Sequence, residues 1–201
     1  MSKESITTES RTRLLDAAMD LMRLKGYAAT TVDDICRAAE LTKGSFFHHF
    51  ASKEELGIAA AEHFATMAAT LFASAPYRTL PDPVDRLLGY IDFRIAILRG
   101  PVCQFSCLLG TFVQELYETH PAIRAACEKH LNDHVADLTR DVAEARTQYA
   151  PNAAWSAESL ALHMQAVLQG SLILAKARQG PEAAIECLRH LRRYVQMLFH
   201  R

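Results

Sequence analysis

The stretch Leu41–Lys53, LTKGSFFHHFASK, gathers residue types suited to touching a phosphate backbone. Thr42 can cap a helix, because its hydroxyl accepts from the free amides of the first turn. Lys43, Gly44, Ser45, Phe47 and His48 then line the exposed side, while Phe46 and Phe50, four residues apart, share the other face. The window holds Lys43, Lys53, His48 and His49 and no carboxylate; Glu40 and Glu54 stand just outside. A cation, two small residues and an aromatic ring at a helix start can approach a duplex closely, which is the work of a recognition helix in a helix-turn-helix. The plainer account is a short amphipathic helix packed on its neighbours. Two further pairs could do chemistry. Cys103 and Cys107, four apart, share a helix face if their helix begins early enough, and a helix N-terminus favours the thiolate. His130 and His134, also four apart and close to Asp133 and Asp137, could point at one metal. No HExxH or paired CxxC supports that site, and surface histidines on a charged helix are the simpler account, so no metal and no cofactor are expected.

These residues need elements to position them. A chain of 201 residues that is 50% hydrophobic has ample core for one large domain or two small ones. Ala and Leu dominate and no long β-branched run occurs, which favours an all-α chain. The formal net charge is −1, so any positive field for nucleic acid must be local. No stretch reads as long and apolar enough to span a membrane; the nearest, Ser159–Ala175, carries His163, Gln165 and Gln169. The polar N-terminus, with Glu4 and Glu9, lacks a signal-peptide core, and a cytoplasmic protein is expected. Five cysteines, an odd number with no dense framework, read as reduced thiols.

In chain order, residues to about Thr8 read as a frayed lead-in. A helix follows on Leu14, Leu15, Ala18, Leu21 and Met22, with Gly26 as its C-terminal cap. Thr31 and Asp34 make a capping-box-like start for the next, and a turn at Glu40–Leu41 leads into the opening stretch. Ser52 and Glu55 start a long helix to about Ala73. Two helices joined by a tight turn, braced by a third, form a helix-turn-helix unit. Ala75–Pro83, with three prolines, is the clearest break in the chain. Asp82 and Pro83 begin a helix striped with Leu87, Leu88, Ile91, Ile95 and Leu98. Further helices are expected over Gln104–Glu118, from Pro121 to about Tyr149, over Ser156–Arg178, and after Gly180–Pro181 to the end.

Residues Leu14–Leu56 resemble the DNA-binding domain of the tetracycline-repressor (TetR) family. The likeness rests on the Gly-Tyr before the second helix, the Thr-Val-Asp-Asp-Ile start, and the Lys-Gly-Ser-Phe-Phe-His-His-Phe and Ser-Lys-Glu-Glu-Leu runs. It implies about nine helices: three in a DNA-binding domain, 1–55, and six in an effector-binding and dimerisation domain, 56–201. By the same resemblance Thr31 touches a phosphate, and Thr42, Lys43, Gly44 and Ser45 face the major groove. Phe47 and His49 touch backbone or a base edge, with His48 beside them, and Lys53 pairs with a phosphate. Phe47 stands where the family often has Tyr, and Glu40 where it often has Gly.

The resemblance further implies a homodimer on a palindromic double-stranded operator, joined through the last two helices. Their stripes are Leu160, Met164, Val167, Leu168, Ser171 and Leu172, then Leu188, Leu191, Val195 and Leu198. A small apolar or electrophilic effector would lie among Phe93, Ile97, Phe105, Cys107, Leu108, Phe112, Tyr117 and Trp155. The run Ser106–Gly110 followed by Gln114-Glu115-Leu116 resembles a subset of the family in which a cysteine at the Cys107 position senses electrophiles or oxidants, with Cys103 or Cys127 as resolving partners. A ligand-responsive repressor is the leading expectation. A thiol-dependent enzyme and a helical protein-interaction module are the alternatives; the chain has no Gly-x-Ser-x-Gly, phosphate loop or dinucleotide fingerprint to support catalysis.

Overall fold

The computed structural model describes residues 3–201, with side chains from Thr7 onward. The described residues form ten α-helices and one 3-10 turn, with no strand. The helices are α1 (Lys3–Lys25), α2 (Val32–Ala38), α3 (Lys43–His49), α4 (Lys53–Ala73), α5 (Pro83–Ala96), α6 (Val102–Phe105), α7 (Leu108–Leu116), α8 (Pro121–Tyr149), α9 (Ala157–Arg178) and α10 (Glu182–Leu198), and the 3-10 turn is Pro76–Thr79. The expected frayed lead-in is helical from Lys3; Met1 and Ser2 lie outside the described residues.

Two compact units divide the chain: residues up to Ala69 with Cys107–His130, and Thr70–Ser106 with Leu131–Arg201. In the first, Leu14, Ala18 and Met22 of α1, Ile35 of α2, Phe46 of α3, Leu56 and Ala60 of α4, Phe112 of α7 and Ile123 of α8 have no exposed surface. Burying each large side chain contributes roughly 1.5–3 kcal/mol. The caps are those the local residue types dictate. Gly26 ends α1 with φ +86°, Thr31 and Asp34 form a reciprocal capping box, and Ser52 Oγ accepts from Glu55 N at 3.1 Å. A single helix over Gln104–Glu118 does not form. The backbone extends at Ser106 and Cys107, and Cys107 caps α7 by accepting from Gly110 N at 3.4 Å. Cys103 and Cys107 therefore sit on different helices.

In the second unit α5, α9 and α10 bury Val84, Leu87 and Ile91 with Leu160, Ala161, Met164 and Leu168 and with Leu188, Leu191, Val195 and Phe199. Asp82 caps α5 through Val84 N at 2.8 Å and Asp85 N at 3.1 Å. The stripes expected to join two subunits are mostly spent on this core. The apolar side chains that α9 and α10 leave exposed are instead Leu162, Ile173, Leu174, Tyr194 and Met197, the last 73% exposed.

One helix, α4, is long and apolar enough by length and composition to cross a membrane, which corrects the reading that put only Ser159–Ala175 forward. It carries Glu62 and His63 at mid-length and places Leu56, Ala60 and Ala61 in the core of the first unit.

Candidate nucleic-acid interface

The turn between α2 and α3 closes by two hydrogen bonds, Leu41 N to Cys36 O at 2.8 Å and Glu40 N to Arg37 O at 3.2 Å. This is the 6→1 and 5→2 pattern of a Schellman motif, which needs a left-handed residue just past the helix. Glu40 fills that position with φ +52°. A side chain there costs about 1 kcal/mol relative to glycine. Arg13 of α1 offsets part of that cost by donating to Ala39 O at 2.5 Å and to the Glu40 carboxylate at 3.3 Å.

Thr42 caps α3, its Oγ accepting from Ser45 N at 3.1 Å. Thr31 caps α2 the same way, through Asp34 N at 3.1 Å. Capping uses an oxygen lone pair, so each hydroxyl proton is still available to a phosphate oxygen. The Asp34 carboxylate accepts from Thr31 N and from Lys25, and those bonds hold it well below the usual carboxylate range. Phe46 and Phe50 point inward; Thr42, Lys43, Gly44, Phe47 and His48 are exposed, and Ser45 is half-buried. Phe47 is 58% exposed and rests edge-on against Phe46 at 5.1 Å.

Three expected contact residues have internal partners. Lys43 Nζ lies 2.8 Å from Asp33 of α2, and that bond raises its pKa. His49 Nε2 is 2.7 Å from Ser10 Oγ, and partial burial lowers the ring's pKa. Lys53 Nζ donates to Tyr27 O at 3.2 Å and Thr30 O at 3.1 Å and stands 4.2 Å from the Tyr27 ring centroid. It thus braces the loop that delivers Thr31, and burial lowers its pKa.

The same loop has a second brace that sequence reading missed. Glu115, near the end of α7, accepts from Tyr27 N and Ala28 N, both at 2.7 Å. The Tyr27 ring packs edge-on against Phe112 of α7 at 5.9 Å and against His120 at 5.0 Å. A Cβ on Gly26 would stand 2.9 Å from a Glu115 oxygen, so the positive φ and the close carboxylate both demand glycine there.

The residues expected around an effector divide between the units. Cys107, Leu108, Phe112 and Tyr117 belong to the first; Phe93, Ile97, Phe105 and Trp155 belong to the second. Phe112 and Leu108 are core, Tyr117 is 57% exposed, and Trp155 packs edge-on against Phe199 at 5.5 Å. Phe93 joins an aromatic cluster with Phe72 at 5.7 Å and Tyr77 at 6.0 Å. Tyr90, Arg94 and His134 complete it, none of them singled out for this role by spacing. The five cysteines form no disulfide. Burial, helped by the neighbouring Cys107, pushes the Cys127 thiol up to about 12. Among the described residues no group of three or more His, Cys, Asp or Glu could hold a metal. His134 instead meets Tyr90 and Arg94.

Against known proteins, a family model described as bacterial regulatory proteins of the tetR family matches residues 14–60. A second, described as a tetracyclin repressor-like C-terminal domain, matches residues 83–191. The transcriptional repressor DhaR of a Mycobacterium species is 28% identical over 176 residues, covering 87% of this chain and 86% of that protein. The repressor NemR of Escherichia coli is 24% identical over 197 residues, 93% of this chain and 94% of its own. Its reduced form has a crystal structure that superposes with a TM-score of 0.79 at 22% identity, over 90% of this chain and 94% of that one. A TetR transcriptional regulator from Chloroflexus aurantiacus superposes with a TM-score of 0.85 at 25% identity, over 96% of each chain.

Proposed function

The chain belongs to the tetracycline-repressor family of DNA-binding transcriptional regulators, and from that premise we propose that it is a cytoplasmic repressor. It holds a palindromic operator as a homodimer and releases it when a small effector binds. The observation that carries this reading is the outward face of α3. That face starts at a threonine cap, exposes Lys43, Gly44, Phe47 and His48, and bears no carboxylate of its own. Lys43 reads a base edge by donating to guanine O6 or N7, exchanging Asp33 for DNA as it does so. Thr31, Thr42 and Ser45 set the register on phosphates, with Phe47, His48 and His49 packing at the rim. Lys53 acts by bracing the Tyr27–Thr30 segment.

The two recognition helices of a dimer must meet successive major grooves, which requires a fixed spacing. The exposed apolar side chains of α9 and α10, Leu162, Ile173, Leu174, Tyr194 and Met197, support a subunit interface there. An effector then acts by binding one spacing better than the other, and the shift equals its differential affinity.

Electrophiles are one class of effector this reading accommodates. The Cys107 sulfur caps α7, accepting from Gly110 N, and is only partly buried. Conjugate addition of this thiol to an activated alkene breaks the C=C π bond, forms the C–S bond and passes the thiol proton to the α-carbon, leaving a bulkier thioether at the cap. Cys127, fully buried and held protonated, is poorly suited to be the attacking group.

Fluorescence anisotropy with duplexes from the flanks of the gene tests the reading. Sequence-preferring, salt-dependent binding that is lost in Lys43→Ala is expected. A stable monomer with no preferred duplex at low salt would refute it. Release by an alkylating agent that persists unchanged in Cys107→Ser would remove the thiol from the account.

A further inference from the structure

In the second unit Arg94 stands in an aromatic cluster with no carboxylate bonded to it, unlike the two arginines that precede it in sequence, Arg78 and Arg86. Arg78 is paired with Asp137 and, at 3.5 Å, with Asp141; Arg86 is paired with Asp141 at 2.9 Å and with Glu144. Arg94, half-buried, has only neutral partners. Its Nε donates to Tyr90 Oη at 3.0 Å, its Nη2 reaches His134 Nε2 at 3.1 Å, and its guanidinium carbon stands 4.0 Å from the Phe72 ring centroid. Arginine can only donate, so His134 Nε2 must accept and the ring's proton sits on Nδ1. Tyr90 then donates to the same nitrogen at 2.9 Å. Burial first, and the Arg94 charge second, lower His134 to a pKa of about 3, so the ring is neutral. Among the described residues no carboxylate pairs with Arg94.

A second polar group in the cluster is incomplete. Tyr77 is 4% exposed, and its hydroxyl, fully buried, has no hydrogen-bond partner among the described residues. Its ring lies 5.8 Å from Tyr90 and 6.0 Å from Phe93, and Phe93 in turn lies 5.7 Å from Phe72, the ring Arg94 stands over. The orphaned buried hydroxyl is unfavourable alone, and partly exposed Arg94 offers a cation without a counter-charge beside the same aromatic rings. One acceptor with a single negative charge satisfies both.

We propose that Arg94 and Tyr77 bind the carboxylate of a small amphipathic acid, whose apolar body lies against Phe72 and Phe93. Arg94 has unused N–H groups for a planar carboxylate. A phosphate dianion would call for more cationic donors, and Arg78 and Arg86 are already neutralised. This rests on the reading that the C-terminal unit receives the effector, and it names that effector's chemical class.

Calorimetry and thermal shift with benzoate and octanoate, each against its amide of the same shape, test the proposal on the intact protein. Both acids are expected to bind and stabilise, at least tenfold tighter than the amides. Arg94→Gln should lose at least tenfold of that affinity, and Arg94→Lys should recover part of it. Tyr77→Phe removes an orphaned hydroxyl, so it should fold as well as the parent or better, yet bind the acids several-fold more weakly. A purely structural tyrosine would not separate those two readouts. Acids and amides binding alike, or Tyr77→Phe and Arg94→Gln binding as the parent does, would overturn it. Operator release is scored separately. Acid binding without release keeps this site and sinks its regulatory reading, while release by other effectors with no acid binding does the reverse.

Discussion

Removing the Glu115 carboxylate tests how the loop ahead of α2 is held. Its two oxygens accept from Tyr27 N and Ala28 N at 2.7 Å each. The Ala28 amide is exposed and rehydrates when the acceptor goes, so its loss costs about 0.5 kcal/mol. The Tyr27 amide is part-buried, and leaving it unsatisfied costs about 1–3 kcal/mol. Because Glu115 is itself exposed, solvent screens the charge and the lower half of that range applies. Glu115→Ala should therefore destabilise by about 2 kcal/mol, which for a chain of this length lowers Tm by about 4–8 °C. Glu115→Gln keeps one acceptor and should cost about half as much. The loop delivers Thr31, so operator affinity should also fall, by about tenfold if roughly 1.4 kcal/mol of the strain appears in the complex. Thermal unfolding and fluorescence anisotropy on the same preparations read both effects. If Glu115→Ala unfolds within 1 °C of the parent and binds its operator equally well, the bracing argument fails.

Four further outcomes follow from other contacts. Asp33→Asn frees Lys43 from an exposed ion pair worth about 0.2–1 kcal/mol and removes a negative charge near DNA. Operator binding should tighten up to about fivefold by anisotropy, and an unchanged or weaker Kd would contradict the exchange. Glu40→Gly should stabilise by no more than about 1 kcal/mol, the left-handed strain less the lost Arg13 pair, as read by urea unfolding. His134 titrates near 3 when folded and near 6.5 when unfolded, so the unfolded chain binds more protons between those values. Stability should then fall on acidification below about pH 6.5, by up to about 1.4 kcal/mol per pH unit, and His134→Leu should show a shallower fall in urea midpoints between pH 7 and pH 5. Met197→Glu and Leu162→Glu place charges on the exposed face of α9 and α10 and should yield monomers in sedimentation that bind half-sites weakly. A dimer surviving the double substitution would put the interface elsewhere.

The helix-turn-helix was readable because its determinants are local. A capping threonine bonds three residues on, so Thr31, Asp34 and Thr42 declare their backbone in a short window, whereas nothing in the residue type of Glu40 announces its left-handed turn. What escaped depends on distance or degeneracy. The break at Ser106–Cys107 carries no Pro or Gly, and the apolar run around it continues a helical pattern through a backbone that extends. On α9 apolar residues occupy nearly every face, so periodicity could not say that Leu160, Met164 and Leu168 turn inward while Leu162, Ile173 and Leu174 turn out. Glu115 meets Tyr27 across 88 residues and Arg94 meets His134 across 40, and no spacing rule reaches that far. The histidine pair was weighed as a metal site because its sequence neighbours are acidic. The fold hands His134 to a tyrosine and an arginine instead.

Helix α7 carries both the Cys107 cap and the brace on the loop before Thr31. It spans nine residues, capped locally at its start and bonded near its end to a loop far away in sequence. At the start the Cys107 sulfur holds the Gly110 amide; near the end Glu115 holds the loop before Thr31. A helix so short has little stability of its own and depends on its caps and on the packing of Leu108, Leu109, Phe112 and Leu116. A change at the sulfur and a change in operator affinity therefore need no long path between them. Cys107 and the helix-turn-helix lie in one compact unit, and Cys107 is five residues before Phe112, the ring against which Tyr27 rests. Sulfur is a weaker cap than a hydroxyl or carboxylate oxygen, so the start of this helix leans more on the burial of Leu108 and Leu109 than on its cap.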